Sequence, residues 1–597
     1  DHGGGPNREL LRVLDGLRGS GEAELVYSTL GEFLRAVETG VEEFPVVEDE
    51  LRHHAVGCYS VDRGTKLRNR RAEHALLALE RWQAVNWLAH GVRPDGRALE
   101  DAWRTVLFNQ FHDILAGTSI RSASEDAHRA LDGVLDYADR ETEFVLRRLA
   151  SEISVPWPEG GFVVFNPWPW TVRAPIEFEY AHSPGAEPLF LETPRGQKLP
   201  LQSVRRSDVT GLPRSCWVTV DEIPALGYRV YRLSEGPSGK AKSPAQLRVT
   251  GAALENGSLR LHLDPETGAW RGLFSRPEDE NLLAGPACLP AILRDRSDTW
   301  SHGVEGYEGK ERPFRFVGLR VEEEGPVRVA LRTDWRLGCS QLIVTNRLYR
   351  DLPGVFVDVS VDWQTPRSIL RLNFPLDLEG PVSLAEEPYG IVQREATGAE
   401  VPCQQWLAVE GRLPGTDRRR GLLVINDGLW SYSLKGGLLR LTLLRSPVYA
   451  HHEPSKLRRG VPYDYVDLGR HRFRFWLIPY SGDLDSLAPF RLASVFNLVP
   501  RLVKVPAQAG KGPEVGSWLR VEPENVLVTV VKKGFHRSEL VLRCFETAGR
   551  RTRVSVRSDL LGWSGAFDLG PWELKTVGVR WRDGKPSFRT LTALEDP

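Results

Sequence analysis

The hydrophobic period of this chain changes near residue 155, and that change constrains its fold more than any other feature. From about 64 to 152, apolar residues recur at helical spacing. Leu76, Leu77, Leu79, Trp82, Val85 and Leu88 form a first stripe, broken by the run 91–96 that contains Pro94. Leu99, Trp103, Val106, Leu107, Phe111, Ile114 and Leu115 form a second, and Gly117-Thr118-Ser119 punctuates it. Ala127, Leu131, Val134, Leu135 and Ala138 begin a third. The pattern predicts three amphipathic helices in a bundle. From about 155 the period falls to two. Runs such as 162–165, 216–220, 259–263, 355–361 and 526–530 read as strands, and 264–268 reads as a turn between two of them. With no sustained helix and no short repeat, this region is expected to form stacked antiparallel sandwiches rather than a propeller or solenoid.

The first segment reads differently. Leu10, Leu11, Leu14 and Leu17 make a helical stripe, Glu24-Leu25-Val26-Tyr27 a strand candidate, and 29–37 a second helix. Strand alternating with helix fits the last unit of an α/β barrel. The fold class expected is therefore multidomain α+β: the end of an α/β barrel, a three-helix bundle, then antiparallel β-sandwich domains. The boundaries expected are 1–52 for the barrel remnant, 53–154 for the bundle, 155–245 for a small sandwich, 246–485 for a large one and 486–597 for a C-terminal β domain.

Composition narrows the function classes. Hydrophobic residues make up 41% and charged residues 26%, as in ordinary globular proteins. A net charge of −1 gives no field to draw in nucleic acid, and no long apolar run is present to span a membrane. Cys58, Cys216, Cys288, Cys339, Cys403 and Cys544 are scattered, which suits reduced, mostly buried thiols. Met is absent and Asp1-His2-Gly3-Gly4-Gly5-Pro6 reads like the inside of a loop, so an incomplete chain is expected, with any targeting signal ahead of it. A bacterial cytoplasmic setting is the expectation, and homo-oligomer formation stays open.

Reactive constellations are few. The sequence holds no P-loop, no G-x-S-x-G and no H-E-x-x-H. One segment stands out: Asn109-Gln110-Phe111-His112-Asp113-Ile114-Leu115, followed by Gly117-Thr118-Ser119-Ile120. Four polar side chains interrupt the second stripe at its end, where a helix terminus can project ligands into a cleft. Taken alone, His112 and Asp113 read as a satisfied helix-end histidine and a solvated charge. The pairs His53-His54 and His451-His452 lack an evident third ligand, so structural roles are expected. Asp295, Asp298 and Trp300 lie in a loop from which a sandwich could reach a substrate, since Trp rings stack on sugar faces. The run Glu322-Glu323-Glu324 reads as a solvated turn, and Cys58 and Tyr59 as packing residues.

The 109–120 block closely resembles the signature of glycoside hydrolase family 38 α-mannosidases. Asp1-His2-Gly3-Gly4-Gly5-Pro6 resembles the family's glycine-rich active-site loop. Gly57-Cys58-Tyr59-Ser60 with Lys66, Asn69, Arg70 and Glu73 resembles the start of its helical domain. Phe165-Asn166-Pro167, Asp298-Thr299-Trp300, Arg445-Ser446-Pro447 and His471-Arg472-Phe473 resemble blocks of its β-domains. The resemblance implies a Zn2+-dependent retaining α-mannosidase acting on terminal α-mannosides of oligosaccharides or glycans. His112 would be a zinc ligand, Asp113 and Trp300 would bind the sugar, and Asp1 would match the catalytic acid/base. The nucleophile and remaining ligands have no match and would lie upstream, so the chain by itself is expected to hydrolyse negligibly. Hydrolysis of a small conjugate such as mannosylglycerate, and a non-catalytic carbohydrate-binding or assembly module, are the alternative readings.

Overall fold

The computed structural model describes residues 7–21, 24–41, 43–47, 50, 55–180, 189–207, 213–236, 247–276, 278–451, 457–484 and 488–596. Its chain divides into two compact units, Asp1–His53 and His54–Pro597.

In the first unit, helix α1 (Arg8–Ser20) starts on Asn7, whose Oδ1 accepts from Leu10 N at 2.8 Å, and ends on left-handed Gly21. Helix α2 (Leu30–Gly40) opens with a reciprocal Thr29–Glu32 capping box. Neither helix buries a residue. The strand expected at 24–27 is absent: these residues are irregular and exposed or half-buried, with no neighbouring strand among the described residues to share a ladder.

The second unit begins with the bundle. Helices α3 (Arg63–His90), α4 (Gly96–Asn109) and α6 (Arg121–Ala150) follow the three stripes, and left-handed Gly91 stops the first. Ala72, Leu76, Ala102, Val106, Leu131 and Val134 form their shared core. The 109–120 block departs from expectation. Helix α4 ends at Asn109, and a separate single turn, α5 (His112–Leu115), follows. His112 and Asp113 therefore do not share a helical face with Asn109, which is buried and donates to Thr105 O at 2.8 Å. Helix α3 also differs from a plain amphipathic helix, because its polar side is buried too. Arg63, Lys66, Arg70 and Arg81 are all under cover: Lys66 faces α5, and the three arginines face the β domains. Arg70 donates to Asn426 Oδ1 at 2.7 Å and lies over Trp430; Arg81 lies over Trp168 and donates to Thr529 O at 3.0 Å.

All paired strands are antiparallel ladders from Gly161 onward, in sheets of three to nine strands. The nine-stranded sheet runs from Arg315–Glu323 to Gly390–Glu395, and its strand Arg419–Asn426 is covered on both faces. Leu422 and Val424 pack into one core, while Leu423 and Ile425 face another shared with helix α7 (Pro489–Asn497). That double burial explains the unbroken apolar run there. Strands Arg501–Val505 and Val515–Ser517 join the sheet of Gly161–Asn166 and Gly227–Glu235. On this sheet Phe165 and Trp518 pack with Trp82 of α3, tying the bundle to it. The short helix α7 was not expected in the period-two region. Among the described residues, no helix is long and apolar enough to cross a membrane.

A further buried cation ties the start of the bundle to the large sandwich from the sandwich side. Arg445, with no exposed side-chain surface, donates to Asp295 Oδ2 at 2.8 Å and to the Asp298 carbonyl at 2.8 Å, and lies over the Tyr307 ring. Its backbone N–H donates to Ser60 O at 3.1 Å. Gly57 packs so closely that a Cβ there would sit 2.3 Å from Arg445 Nη1 and 2.4 Å from Thr299 O. Removing one member of such a buried pair strands the other charge. Arg445→Ala is expected to cost about 3–5 kcal/mol in urea unfolding, and Asp295→Ala added to it to recover part of that loss. An Arg445→Ala midpoint equal to wild type would contradict the reading.

Candidate functional site

The 109–120 block packs against the start of α3 through Gln110, Gly117 and the carbonyls of Leu115 and Ala116. Asp62 adopts a left-handed backbone and caps α3, with Oδ1 accepting from Thr65 N at 3.2 Å and Oδ2 from Thr65 Oγ1 at 2.7 Å. Burial alone would raise its carboxyl, but the His128 hydrogen bond and the Lys66 charge outweigh that and hold it at about 2. Lys66 turns its ammonium onto three carbonyls: Val61 at 2.6 Å, Leu115 at 2.8 Å and Ala116 at 3.1 Å. A cation on the C-terminal carbonyls of α5 satisfies groups the short turn leaves open. Burial lowers the Lys66 pKa, opposed mainly by Asp62. Gln110 donates to Asn69 Oδ1 at 3.1 Å and to Glu73 Oε1 at 2.7 Å. Gly117 has φ +78°, and a Cβ there would lie 2.7 Å from both Asp62 Cβ and Val61 O. Thr118 Oγ1 donates to Asp113 Oδ1 at 2.8 Å, and Ser119 Oγ to Asp113 O at 2.9 Å.

The result is a rigidly held turn that offers His112 and Asp113 outward. Their side chains are 58% and 45% exposed, with His112 Nε2 3.3 Å from Asp113 Oδ2. The His112 ring also lies against Phe111, centroids 4.2 Å apart. Leu107, Phe108, Phe111 and Ile120 are exposed in the same block.

The loop 295–302 approaches the same stretch of chain. Gly57 N donates to Trp300 O at 2.9 Å. Asp298 Oδ1 accepts from Ser301 N at 2.6 Å, and its Oδ2 lies 3.0 Å from His302 Nδ1. Half-buried Trp300 stacks on His302 with centroids 5.8 Å apart and planes at 22°. Cys58 sits between the two segments. Burial pushes its thiol pKa up; the Lys66 and Arg445 charges oppose this, and the Asp298 and Asp113 carboxylates add to it. The sequence candidates His112, Asp113 and Trp300 thus all hang from residues 57–66. Asp1 and the pair His53-His54 lie outside the described residues, as does His452, while His451 packs edge-on to Tyr463. Glu323 of the acidic run is not a solvated turn: it ends a strand and accepts from Arg328 Nη2 at 2.8 Å.

Sequence reading missed Asp467. Its carboxylate accepts from Arg63 N at 3.1 and 3.2 Å, and its carbonyl oxygen lies 2.8 Å from His471 Nε2. Its only local signal was a place just before the 471–473 block.

The donor set present fits only a fraction of a zinc shell. Among the described residues no group of three or more His, Cys, Asp or Glu side chains could hold a metal ion, and His112 with Asp113 gives two donors at most. Zinc sites take about three protein ligands or more, a number that the described residues alone do not supply.

Residues 54–149 match the family model described as the α-mannosidase middle domain, and residues 254–453 match that of the glycosyl hydrolases family 38 C-terminal domain. The chain carries the middle and C-terminal domains of glycoside hydrolase family 38. The middle-domain match takes in the whole 109–120 block, and the C-terminal match takes in the Asp295–Trp300 loop and Arg445. Mouse α-mannosidase 2C1 is 24% identical over 94% of this chain and 51% of its own length. Human α-mannosidase 2C1 is 25% identical over 92% of this chain and 50% of its own length. The chain therefore spans about half the length of these curated relatives. The crystal structure of an α-mannosidase from Enterococcus faecalis V583 shares the fold, with a TM-score of 0.78 at 16% identity over 96% of this chain and 74% of that one.

Asp467 generates a pH prediction. Burial, then the neighbouring Asp62 carboxylate, pushes its pKa up to about 7; Arg63 and Lys66 oppose this. The folded state then holds a proton that the unfolded chain releases near pH 4. Stability from this group is full below about pH 4 and is lost as pH rises through about 7. Asp467→Asn keeps an acceptor for Arg63 N without the charge. The variant is expected to unfold at higher urea than wild type at pH 8, by roughly 1–4 kcal/mol, with the gap closing toward pH 4.5. An identical pH dependence for the two proteins would show that Asp467 does not titrate this way.

Proposed function

We propose that the protein carrying this chain is a Zn2+-dependent retaining α-mannosidase that removes terminal α-mannose from oligosaccharides or glycans. One observation carries the reading: a half-exposed His112–Asp113 pair is held by buried Lys66 and Gly117 and half-buried Gln110, in a chain with glycoside hydrolase family 38 domains.

In this proposal His112 supplies one zinc ligand through an imidazole nitrogen. Asp113, steadied by Thr118, accepts a hydrogen bond from a sugar hydroxyl. Trp300 offers an apolar face to the ring, backed by His302. Asp1 is the proposed acid/base that protonates the leaving oxygen. When bound, zinc would supply Lewis-acid charge toward sugar hydroxyls. Retention needs a second carboxylate about 5–5.5 Å from the acid, and no residue here is assigned that part.

The deciding experiment measures p-nitrophenyl α-mannoside hydrolysis by the full-length gene product. Activity is expected, with loss on chelation, recovery on added zinc, and a drop of about 100-fold or more in His112→Ala. Full activity in His112→Ala, or none in a folded, zinc-loaded wild type, would refute the assignment.

A further inference from the structure

Two turns far apart in sequence share an unusual design. Glu387-Pro388-Tyr389-Gly390 closes the hairpin between strands Glu379–Glu387 and Gly390–Glu395. Gly570-Pro571-Trp572-Glu573 joins strands Trp563–Leu569 and Leu574–Arg582, with Glu573 N donating to Gly570 O at 3.3 Å. In both, Pro holds the second position and an aromatic residue the third, with φ +59° at Tyr389 and +55° at Trp572. Left-handed backbone at the third position of a Pro-led turn favours Gly or Asn. A large ring there is disfavoured.

Burial does not account for the rings. Tyr389 is 43% exposed and Trp572 51%. Strained positions collect where a side chain is put to use. The two turns come from different sheets, yet both flank buried Phe545, with ring centroids 5.9 Å from Tyr389 and 6.5 Å from Trp572. Beside them opens a cavity of about 330 Å³ lined by Tyr389, Leu574, Glu573, Lys575 and Arg543. Its surface mixes apolar faces with charged groups of both signs. Lys575 lies 3.0 Å from Glu573, and Arg543 donates to Ala593 O at 2.9 Å.

We propose that the twin-turn patch is a non-catalytic carbohydrate-binding site that takes neutral hexose units of a glycan. A sugar ring presents an apolar face to an aromatic side chain and, at its edge, hydroxyls that both donate and accept. A ring flanked by Glu573 and Lys575 meets both needs. Arg543 and Lys575 against Glu573 leave no strong field for a polyanion. None of the residues around His112 lines this cavity. The mannosidase reading enters only in choosing α-mannan as the first probe.

The test is affinity electrophoresis of the full-length protein in gels containing α-mannan, β-glucan or xylan. The Tyr389→Gly/Trp572→Gly double variant suits both left-handed positions, so its melting temperature should equal or exceed that of wild type. Retardation of wild type by at least one polysaccharide is expected, with about a tenfold weaker affinity in the double variant. Tyr389→Phe/Trp572→Phe keeps two rings and should stay retarded. No retardation of wild type in any gel, equal retardation of the glycine variant, or its loss in the phenylalanine variant would overturn the proposal. Hydrolysis is not read here, so failure of the mannosidase assignment and failure of this one remain distinguishable.

Discussion

A guanidinium with no contact to solvent needs a complete set of partners, and the way Arg445 finds them organises the rest of this molecule. Asp295, the Asp298 carbonyl and the Tyr307 face take the charge, while the adjoining backbone bonds to Ser60. Gly57 is required because nothing larger fits against it. The first turn before α3 is thus fixed to a sandwich loop. A few residues on, Lys66 repeats the device toward α5. Two buried cations, Arg445 docked on residues 57–60 and Lys66 just beyond them, position both segments from which His112, Asp113 and Trp300 emerge.

The energetics divide accordingly. Apolar cores supply most of the stability, and they are continuous from bundle to sheet through Trp82, Phe165 and Trp518. Buried polar groups supply register, since each is costly unless satisfied. His112 is the opposite case, exposed on a backbone that cannot move far. In the proposed site, an exposed ring on a supported backbone suits ligation better than packing.

Much of the architecture was legible. Helices α3, α4 and α6 follow their apolar stripes, and the runs at 162–165, 259–263 and 355–361 all lie in strands, because spacing reports which side of an element is buried. The resemblance singled out the 109–120 block as a zinc and sugar site, and the structure packs that block against the start of α3. What stayed hidden is non-local. No periodicity shows that Arg501–Val505 pairs with Gly161–Asn166, or that the polar side of α3 is buried against β domains. Strand 24–27 failed because a strand needs a neighbour. Helix α5 was mistaken for the end of α4 because apolar spacing runs on through Phe111 and Ile114, while the break depends on Gln110 reaching Asn69 and Glu73. Asp467 acts through a fold contact with Arg63, which no local pattern announces.

The central claim is that this supported turn presents His112 as a metal ligand. Anomalous diffraction at the zinc edge from crystals of the full-length protein tests it most directly. The account predicts a peak about 2.0–2.1 Å from an imidazole nitrogen of His112, with the Lys66 and Gln110 contacts unchanged. A fully occupied zinc elsewhere, with His112 turned into solvent, would contradict it.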